Sequence, residues 1–427
     1  MDKLRDKFLN ALPTLRALGR WLVLAGLAGL ACGLAGAAFT WCVAQATALR
    51  GAHPWLLFCM PLAGLAIVWT YRAAGMENDS GTNQIIASVR GGERPPVRLA
   101  PLIFLGSVLT HLTGGSAGRE GAALQIGGSI SAGIGRLLRL GERNTNTIIQ
   151  CGMAGLFSAL FGTPLTATVF AMEVVNVGHF RYAALFPCLL SALIADAVPR
   201  LLGLPAEAYH LSGLPEPGPV SLLQCGGLAI LAALASIAFC VLMHEAAHLY
   251  KKYIPNQYLR ALAGAALVIV LTLAEGSGDY NGAGGHIIEL AVEGNVHVPW
   301  AFALKMLFTA LTLGAGFRGG EIVPTLFIGS TFGCAAGPLL GLDPAFGAAV
   351  GMIALFCGVV NCPLASIFLA IELFGGGGLP FFALACSLSF LVSGRYSLYS
   401  SQNIVYSKLE ARLNDQYEKE GPSCSDR

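Results

Sequence analysis

One stretch of this chain is written twice. Gly152, Met153, Leu156 and Phe157, then Pro164-Leu165, then Ala171 and Glu173, recur 199 residues later. The second copy reads Gly351, Met352, Leu355 and Phe356, then Pro363-Leu364, then Ala370 and Glu372, eight identities in 22 aligned positions. A second pair lies upstream at a shift of 202: Gly118-Arg119-Glu120 with Leu124, Ile126 and Gly127 mirrors Gly320-Glu321-Ile322 with Leu326, Ile328 and Gly329. A repeat of about half the chain, built from apolar glycine-broken segments, constrains the fold more than any composition does. It is the pattern of a membrane protein whose site lies where two inverted halves meet.

Composition agrees. Of 427 residues, 55% are hydrophobic and 12% charged, against roughly 25% charged in soluble domains. Runs free of Asp, Glu, Lys and Arg cover 21–49, 144–172 and 217–244, each above the ~20 residues that cross a bilayer as a helix. Others, such as 121–135 and 182–195, are shorter and predict helices that stop partway. The expected fold class is therefore an all-α polytopic membrane protein with broken and partial-span helices. Its expected parts are an N-terminal cytoplasmic segment 1–19, a first repeat 20–205, a linker 206–216, a second repeat 217–402 and a polar tail 403–427. Lys3, Arg5, Lys7, Arg16 and Arg20 precede the first span and place the N-terminus in the cytoplasm. The 29-residue first run is too long for the core of a cleaved signal. No basic stripe interleaved with aromatics points to nucleic acid. The 12 cysteines are scattered, mostly through apolar runs. They read as small hydrophobes, not as a disulfide framework or metal ligands, and no cofactor is expected.

The charges inside the apolar segments are the candidates for function. Arg119, Glu120, Glu173, Arg318, Glu321 and Glu372 sit there, and each ionisable group at membrane depth costs about 2.5–3.5 kcal/mol on insertion scales. Glu173 and Glu372 each lie nine residues after a Pro-initiated segment. They suit either helix-holding pairs or a helix end near water. Glu120 follows the glycine-rich loop 113–119, and a helix is expected from Ala122 to Leu138. In the second half, loop 314–320 precedes a helix starting near Ile322 to Pro324. Helix N-termini offer unpaired N–H groups and positive dipole, an anion site with no formal cation. A carboxylate at such a start competes with a bound anion and leaves when protonated, a physical basis for anion–proton exchange. A third glycine-rich break, Gly75 to Ile86, offers another helix start with the Thr82 hydroxyl and Asn83 amide.

At these residues the chain resembles the CLC family of chloride channels and proton-coupled anion antiporters. Gly118-Arg119-Glu120-Gly121 with Gln125-Ile126-Gly127-Gly128 is similar to the family's Gly-Arg-Glu-Gly-Pro segment, with Ala122 replacing the proline. Gly319-Gly320-Glu321-Ile322-Val323-Pro324 occupies its Gly-Gly-Ile-Phe-Ala-Pro segment, and Leu398-Tyr399-Ser400 looks like the short final helix bearing its inner-gate tyrosine. The likeness runs from about residue 20 to 402. The resemblance implies Glu120 as gate and proton carrier, Tyr399 as inner gate, and Glu321 as a relay or a structural partner of Arg318. It implies an anion path lined by Gly81, Thr82, Asn83, Gly118, Arg119, Gly121, Ile322 and Val323. It also implies a homodimer, with contacts near 163–200 and 363–392, in a bacterial-type inner (plasma) membrane. Three departures resemble the fluoride-exporting branch: Gly81-Thr82-Asn83-Gln84-Ile85 in the first loop, Glu321 in the second-half loop, and Val174 where chloride–proton antiporters carry an inner proton-transfer Glu. Val323, where that branch would carry threonine, departs from it. The expected activity is fluoride export driven by proton entry, with a chloride–proton antiporter or chloride channel as the alternative; no enzymatic activity is expected.

One motif points elsewhere. His244-Glu245-Ala246-Ala247-His248 is a literal HExxH, with both histidines on one helix face and Glu245 as a possible base. A membrane-embedded zinc protease is the resulting minor alternative. The bland reading is a polar helix end leaving the membrane, since Lys251, Lys252 and Tyr253 follow.

Overall fold

The computed structural model describes residues 2–204, 208–211, 213–296, 298–405 and 407–408, with side chains from Leu15 onward. Most of the expected tail 403–427 and part of the expected linker 206–216 lie outside the described residues. The first half supplies eight α-helices: α1 (Asp2–Ala52), α2 (Met60–Ala73), α3 (Thr82–Val89), α4 (Leu99–Leu112), α5 (Glu120–Leu137), α6 (Glu142–Phe161), α7 (Pro164–Glu173) and α8 (Leu185–Leu201). The second half supplies eight more: α9 (Pro219–Tyr253), α10 (Gln257–Glu275), α11 (Gly285–Val292), α12 (Ala301–Gly314), α13 (Ile322–Ala336), α14 (Pro344–Val360), α15 (Pro363–Phe374) and α16 (Leu379–Val392). Because α1 continues unbroken through residue 20, the expected end of the N-terminal segment falls inside a helix.

The halves repeat one plan. In the first, α5 packs on α6 and α1 on α8 and α6; in the second, α13 packs on α14 and α9 on α16 and α14. Glycine permits these close crossings. A Cβ added at Gly329 of α13 would lie 2.7 Å from the Gly351 carbonyl oxygen of α14, and one at Gly127 of α5 would lie 2.9 Å from Leu156 of α6. Five helical stretches are long and apolar enough to cross a membrane: Leu15–Ala52, Pro54–Ala73, Tyr182–Leu201, Pro219–Tyr253 and Gln257–Glu275. Among the described residues six further apolar helical stretches, Ile322–Ala336 and Pro363–Phe374 among them, are shorter, at 10–17 residues. Leucines and tryptophans such as Leu62, Trp69 and Leu223 are exposed on the outer faces, where a bilayer replaces water as solvent.

Glu173 and Glu372 resolve as a reciprocal cap between the halves. Glu173, at the end of α7, accepts the Leu364 and Ala365 N–H groups of α15 at 3.2 and 2.9 Å. Glu372, near the end of α15, accepts the Leu165 and Thr166 N–H groups of α7 at 2.9 and 2.8 Å, and the Thr166 hydroxyl at 2.6 Å. Both proline-initiated helices lack a side-chain cap of their own. Each helix start therefore takes its carboxylate from the other repeat, where the positive dipole end stabilises it. The expected helix-holding role is realised through backbone N–H groups, not through a basic side chain.

Candidate functional site

The two glycine-rich loops meet in the middle of the molecule. Gly118 and Gly320 form an isolated antiparallel bridge with two N–H···O bonds of 2.7 Å. The bridge holds the N-terminus of α5 against that of α13. Only glycine allows the approach: a Cβ at Gly118 would lie 2.9 Å from the Pro324 ring, and one at Gly319 would strike Ala117. Helix α5 begins at Glu120, two residues earlier than expected, with Arg119 at its N-cap. Glu120 thus belongs to the first turn.

Two carboxylates flank the bridge. Glu120 is fully buried. Its Oε2 accepts the Arg119 N–H at 2.9 Å, and its Oε1 lies 3.5 Å from Arg119 Nε. The carboxylate folds back over Gly118, where an added Cβ would lie 3.1 Å from both Glu120 Oε2 and Val323. It therefore occupies the point at which the α5 and α13 starts converge, as a bound anion would. Glu321, the N-cap residue of α13, packs its Oε2 against the start of α5, 2.6 Å from where a Cβ on Gly121 would stand. That oxygen is buried and has no hydrogen-bond partner among the described residues. Arg318 is not its partner: Arg318 Nη1 bonds Asp79 Oδ2 at 2.9 Å and stacks 3.9 Å over the Tyr71 ring. Asp79 in the first loop is the nearer carboxylate, and it frees Glu321 from the structural pairing that the sequence left open.

Below the bridge lies a cavity of about 360 Å³, reached by Gly81, Thr82, Asn83, Gln125, Glu321 and Tyr399, with Lys251 of α9 also on its wall. The first loop makes its third helix start here. Gly81, at φ 64° and ψ −133°, is the N-cap of α3, a conformation that a side chain would strain. Thr82 donates to the Gly121 carbonyl at 3.3 Å and accepts from Gln125 Nε2 at 3.3 Å, tying α3 to α5. Asn83 Oδ1 accepts the Ser401 N–H at 2.9 Å, which leaves its NH₂ group to donate. The Tyr399 hydroxyl is buried without a partner among the described residues. Residues 398–400 form no helix, contrary to expectation. Leu398 N donates to the Val359 carbonyl and Tyr399 N to Ser397 Oγ, so these backbone groups bond elsewhere than a helical ladder.

Of the expected site residues, Gly81, Thr82, Asn83, Glu321 and Tyr399 share this cavity. Glu120, Gly118, Gly121, Ile322 and Val323 are packed in the closed junction above it, with Arg119 beside them. Sequence reasoning assigned no role to Gln125, although it stands inside a quoted motif. It also passed over Lys305, a lone lysine within the apolar α12. Lys305 is fully buried and donates to the Tyr280 and Gly282 carbonyls at 3.1 and 2.7 Å. It anchors the loop whose Gly282 N–H donates to the Gly115 carbonyl. His244 and His248 of the HExxH motif lie inside α9, and among the described residues no cluster of three or more His, Cys, Asp or Glu could hold a metal ion.

This arrangement has known counterparts. Residues 62–394 match the protein family described as voltage gated chloride channel. The chain is 36% identical to a chloride/fluoride channel protein of Pseudomonas syringae pv. tomato, over 99% of this chain and 96% of the relative. It is 28% identical to an H(+)/Cl(-) exchange transporter ClcA of Vibrio vulnificus, over 65% of this chain and 62% of that one. Among solved structures, a CLC-type fluoride/proton antiporter superposes with a TM-score of 0.88 at 32% identity, covering 91% of this chain and 98% of the other. A slow cyanobacterial Cl-/H+ antiporter shares the fold, with a TM-score of 0.76 at 21% identity. A doubled eight-helix plan, a bridged pair of helix starts with a buried glutamate, and these matches lead to one assignment: the chain belongs to the voltage gated chloride channel (CLC) family of membrane transport proteins, and it is not an enzyme.

Proposed function

We propose that the chain exports fluoride in exchange for protons entering the cell, as a homodimer in a bacterial inner membrane with one path in each subunit. The observation that carries this reading is the pair of carboxylates on either side of the Gly118–Gly320 bridge. Ionised Glu120 fills the place where two helix starts would hold an anion. Protonated, it has no reason to stay, and the anion can take its position. Proton and anion thus use one place in turn, and each turnover exchanges them. Glu321, half-buried and lining the cavity beneath with its Oε2 unpartnered among the described residues, is the group to which Glu120's proton can pass. The Asn83 NH₂ and the helix starts supply hydrogen-bond donors in concentration, which fluoride needs in place of its tightly held water. The alternative, chloride exchange through the same junction, differs only in the ion preferred. Support for the dimer comes from exposed Leu165 on α7 and Leu364 on α15, apolar residues at the start of the reciprocally capped pair.

The test is efflux from proteoliposomes loaded with equal fluoride and chloride, read by ion-selective electrodes beside a pH probe. The expected result is fluoride leaving faster than chloride, with protons moving the opposite way. Chloride leaving as fast as fluoride would sink the fluoride assignment. Anion efflux without proton movement would overturn the exchange mechanism.

A further inference from the structure

The proposed exchange leaves the proton's last step unassigned. The Glu321 Oε2 is buried, and Val174, at the end of α7, is apolar and fully buried. A second cavity, of about 310 Å³, adjoins the first. The two share Tyr399 and Ser400 in their walls. Its lining includes Arg395, Tyr396 and Asn403, and one residue of α9, His244. This is the first histidine of the HExxH motif, which holds no metal cluster here. Its Nδ1 lies 2.9 Å from the Cys240 carbonyl oxygen. That bond places the ring proton on Nδ1 and leaves Nε2 with its lone pair. Lys251, two turns further along α9, lines the first cavity, and Gln257, at the start of α10, donates to the Glu77 carbonyl of the first loop. With the N-terminus in the cytoplasm, the spans Leu15–Ala52 and Pro54–Ala73 cross out and back, so the first loop and the α9 end beside it face the cytoplasm.

We propose that His244 is the cytoplasmic proton acceptor of this transporter, taking the place of the carboxylate that is absent at Val174. The inference rests on the exchange reading above. Protonated Glu321 releases its proton through water beside Tyr399 and Ser400. His244 Nε2 takes it up, leaving Glu321 as carboxylate and the ring as imidazolium. The imidazolium then yields the proton to cytoplasmic water, and the ring returns to its starting form. No oxidation or covalent bond is involved. Arg395, Tyr396 and Tyr399 are the ionisable side chains that share the cavity with His244; Glu245 and His248 neighbour it on its own helix.

The test compares wild type with His244→Gln, His244→Glu and His248→Ala in proteoliposomes, following fluoride and proton flux together across a range of internal pH. Thermal stability and dimer content are measured on each. The glutamine retains a polar side chain but accepts no proton at this pH. Expected is a loss of proton flux of at least about tenfold in His244→Gln, in line with the removal of a proton-transferring side chain. His244→Glu should restore it, because a carboxylate also accepts and releases a proton. His248→Ala should behave as wild type. Wild-type proton flux in a stably folded His244→Gln overturns the inference, and so does a loss that His244→Glu fails to restore. If the wild type itself moves fluoride without protons, the exchange reading fails first; if it is coupled and His244→Gln is unaffected, only the role of His244 fails.

Discussion

The repeat equates Glu120 with Ile322 and Arg119 with Glu321, so the two carboxylates at the centre are not symmetry mates. One sits in the first turn of α5, the other caps α13. The Glu120 carboxylate folds over Gly118 of its own loop, and Glu321 packs against Gly121 of the other repeat. The offset gives the junction two carboxylates in unlike settings, Glu120 bonded to the Arg119 N–H and Glu321 with its Oε2 unpartnered among the described residues. Glu120→Gln should abolish proton coupling while leaving the fold intact, and Glu321→Gln should lower proton flux more than anion flux; simultaneous fluoride and pH recording decides both. Asn83→Asp isolates the donor at the first loop. It keeps an oxygen for the Ser401 N–H and removes the NH₂ group, and it adds a negative charge beside the anion path. Fluoride efflux should fall at least about tenfold, the scale of losing one charge-assisted hydrogen bond, with thermal stability near that of wild type. Unchanged efflux would remove Asn83 from the selectivity element.

At the scale of elements, α7 and α15 are short helices that start at proline and end near glutamate, and neither completes its own N-terminus. The reciprocal caps make them one unit. Glu372→Ala should cost about 1 kcal/mol, the ordinary value of a lost N-cap. Glu173→Ala should cost more, about 1–3 kcal/mol, because Glu173 is 3% exposed and its loss strands buried N–H groups. Chemical or thermal unfolding in detergent measures both, and equal costs would argue against burial as the cause. The crossings of α5 with α6 and α13 with α14 make a second element-scale claim. Gly351→Val inserts a side chain where an added Cβ already lies 2.5 Å from the Gly329 carbonyl oxygen. Overpacking of this kind typically costs about 1–3 kcal/mol, and the variant should unfold at lower temperature than wild type.

At the scale of the whole molecule, the doubled plan explains why so few polar groups suffice. Two loops approach one point, and in the proposed reading the helix starts behind them do what a soluble protein would assign to basic side chains. The exposed Leu165 and Leu364 give the proposed dimer a test. Light scattering in detergent should report twice the protomer mass, and a Leu165→Trp, Leu364→Trp double variant should shift toward the protomer. Fluoride efflux that survives in that variant fits one path per subunit; a wild type that is monomeric removes the dimer from the reading.

The sequence by itself determined the class of the molecule, its repeat, and the identity of its central carboxylates. Those features are carried by local signals: apolar run length, glycine spacing and isolated charges, each legible without knowing what lies across the fold. Contacts between residues far apart in the chain were decided by the tertiary structure alone. Arg318 lies three residues from Glu321, yet it pairs with Asp79, 239 positions away. Glu173 caps a helix start 191 positions away, and Tyr399 sits outside any helix because the Leu398 N–H bonds the Val359 carbonyl and its own N–H bonds Ser397 Oγ. A charged group in a low-dielectric interior takes whichever partner the packing brings within hydrogen-bond reach. Sequence distance does not encode that choice.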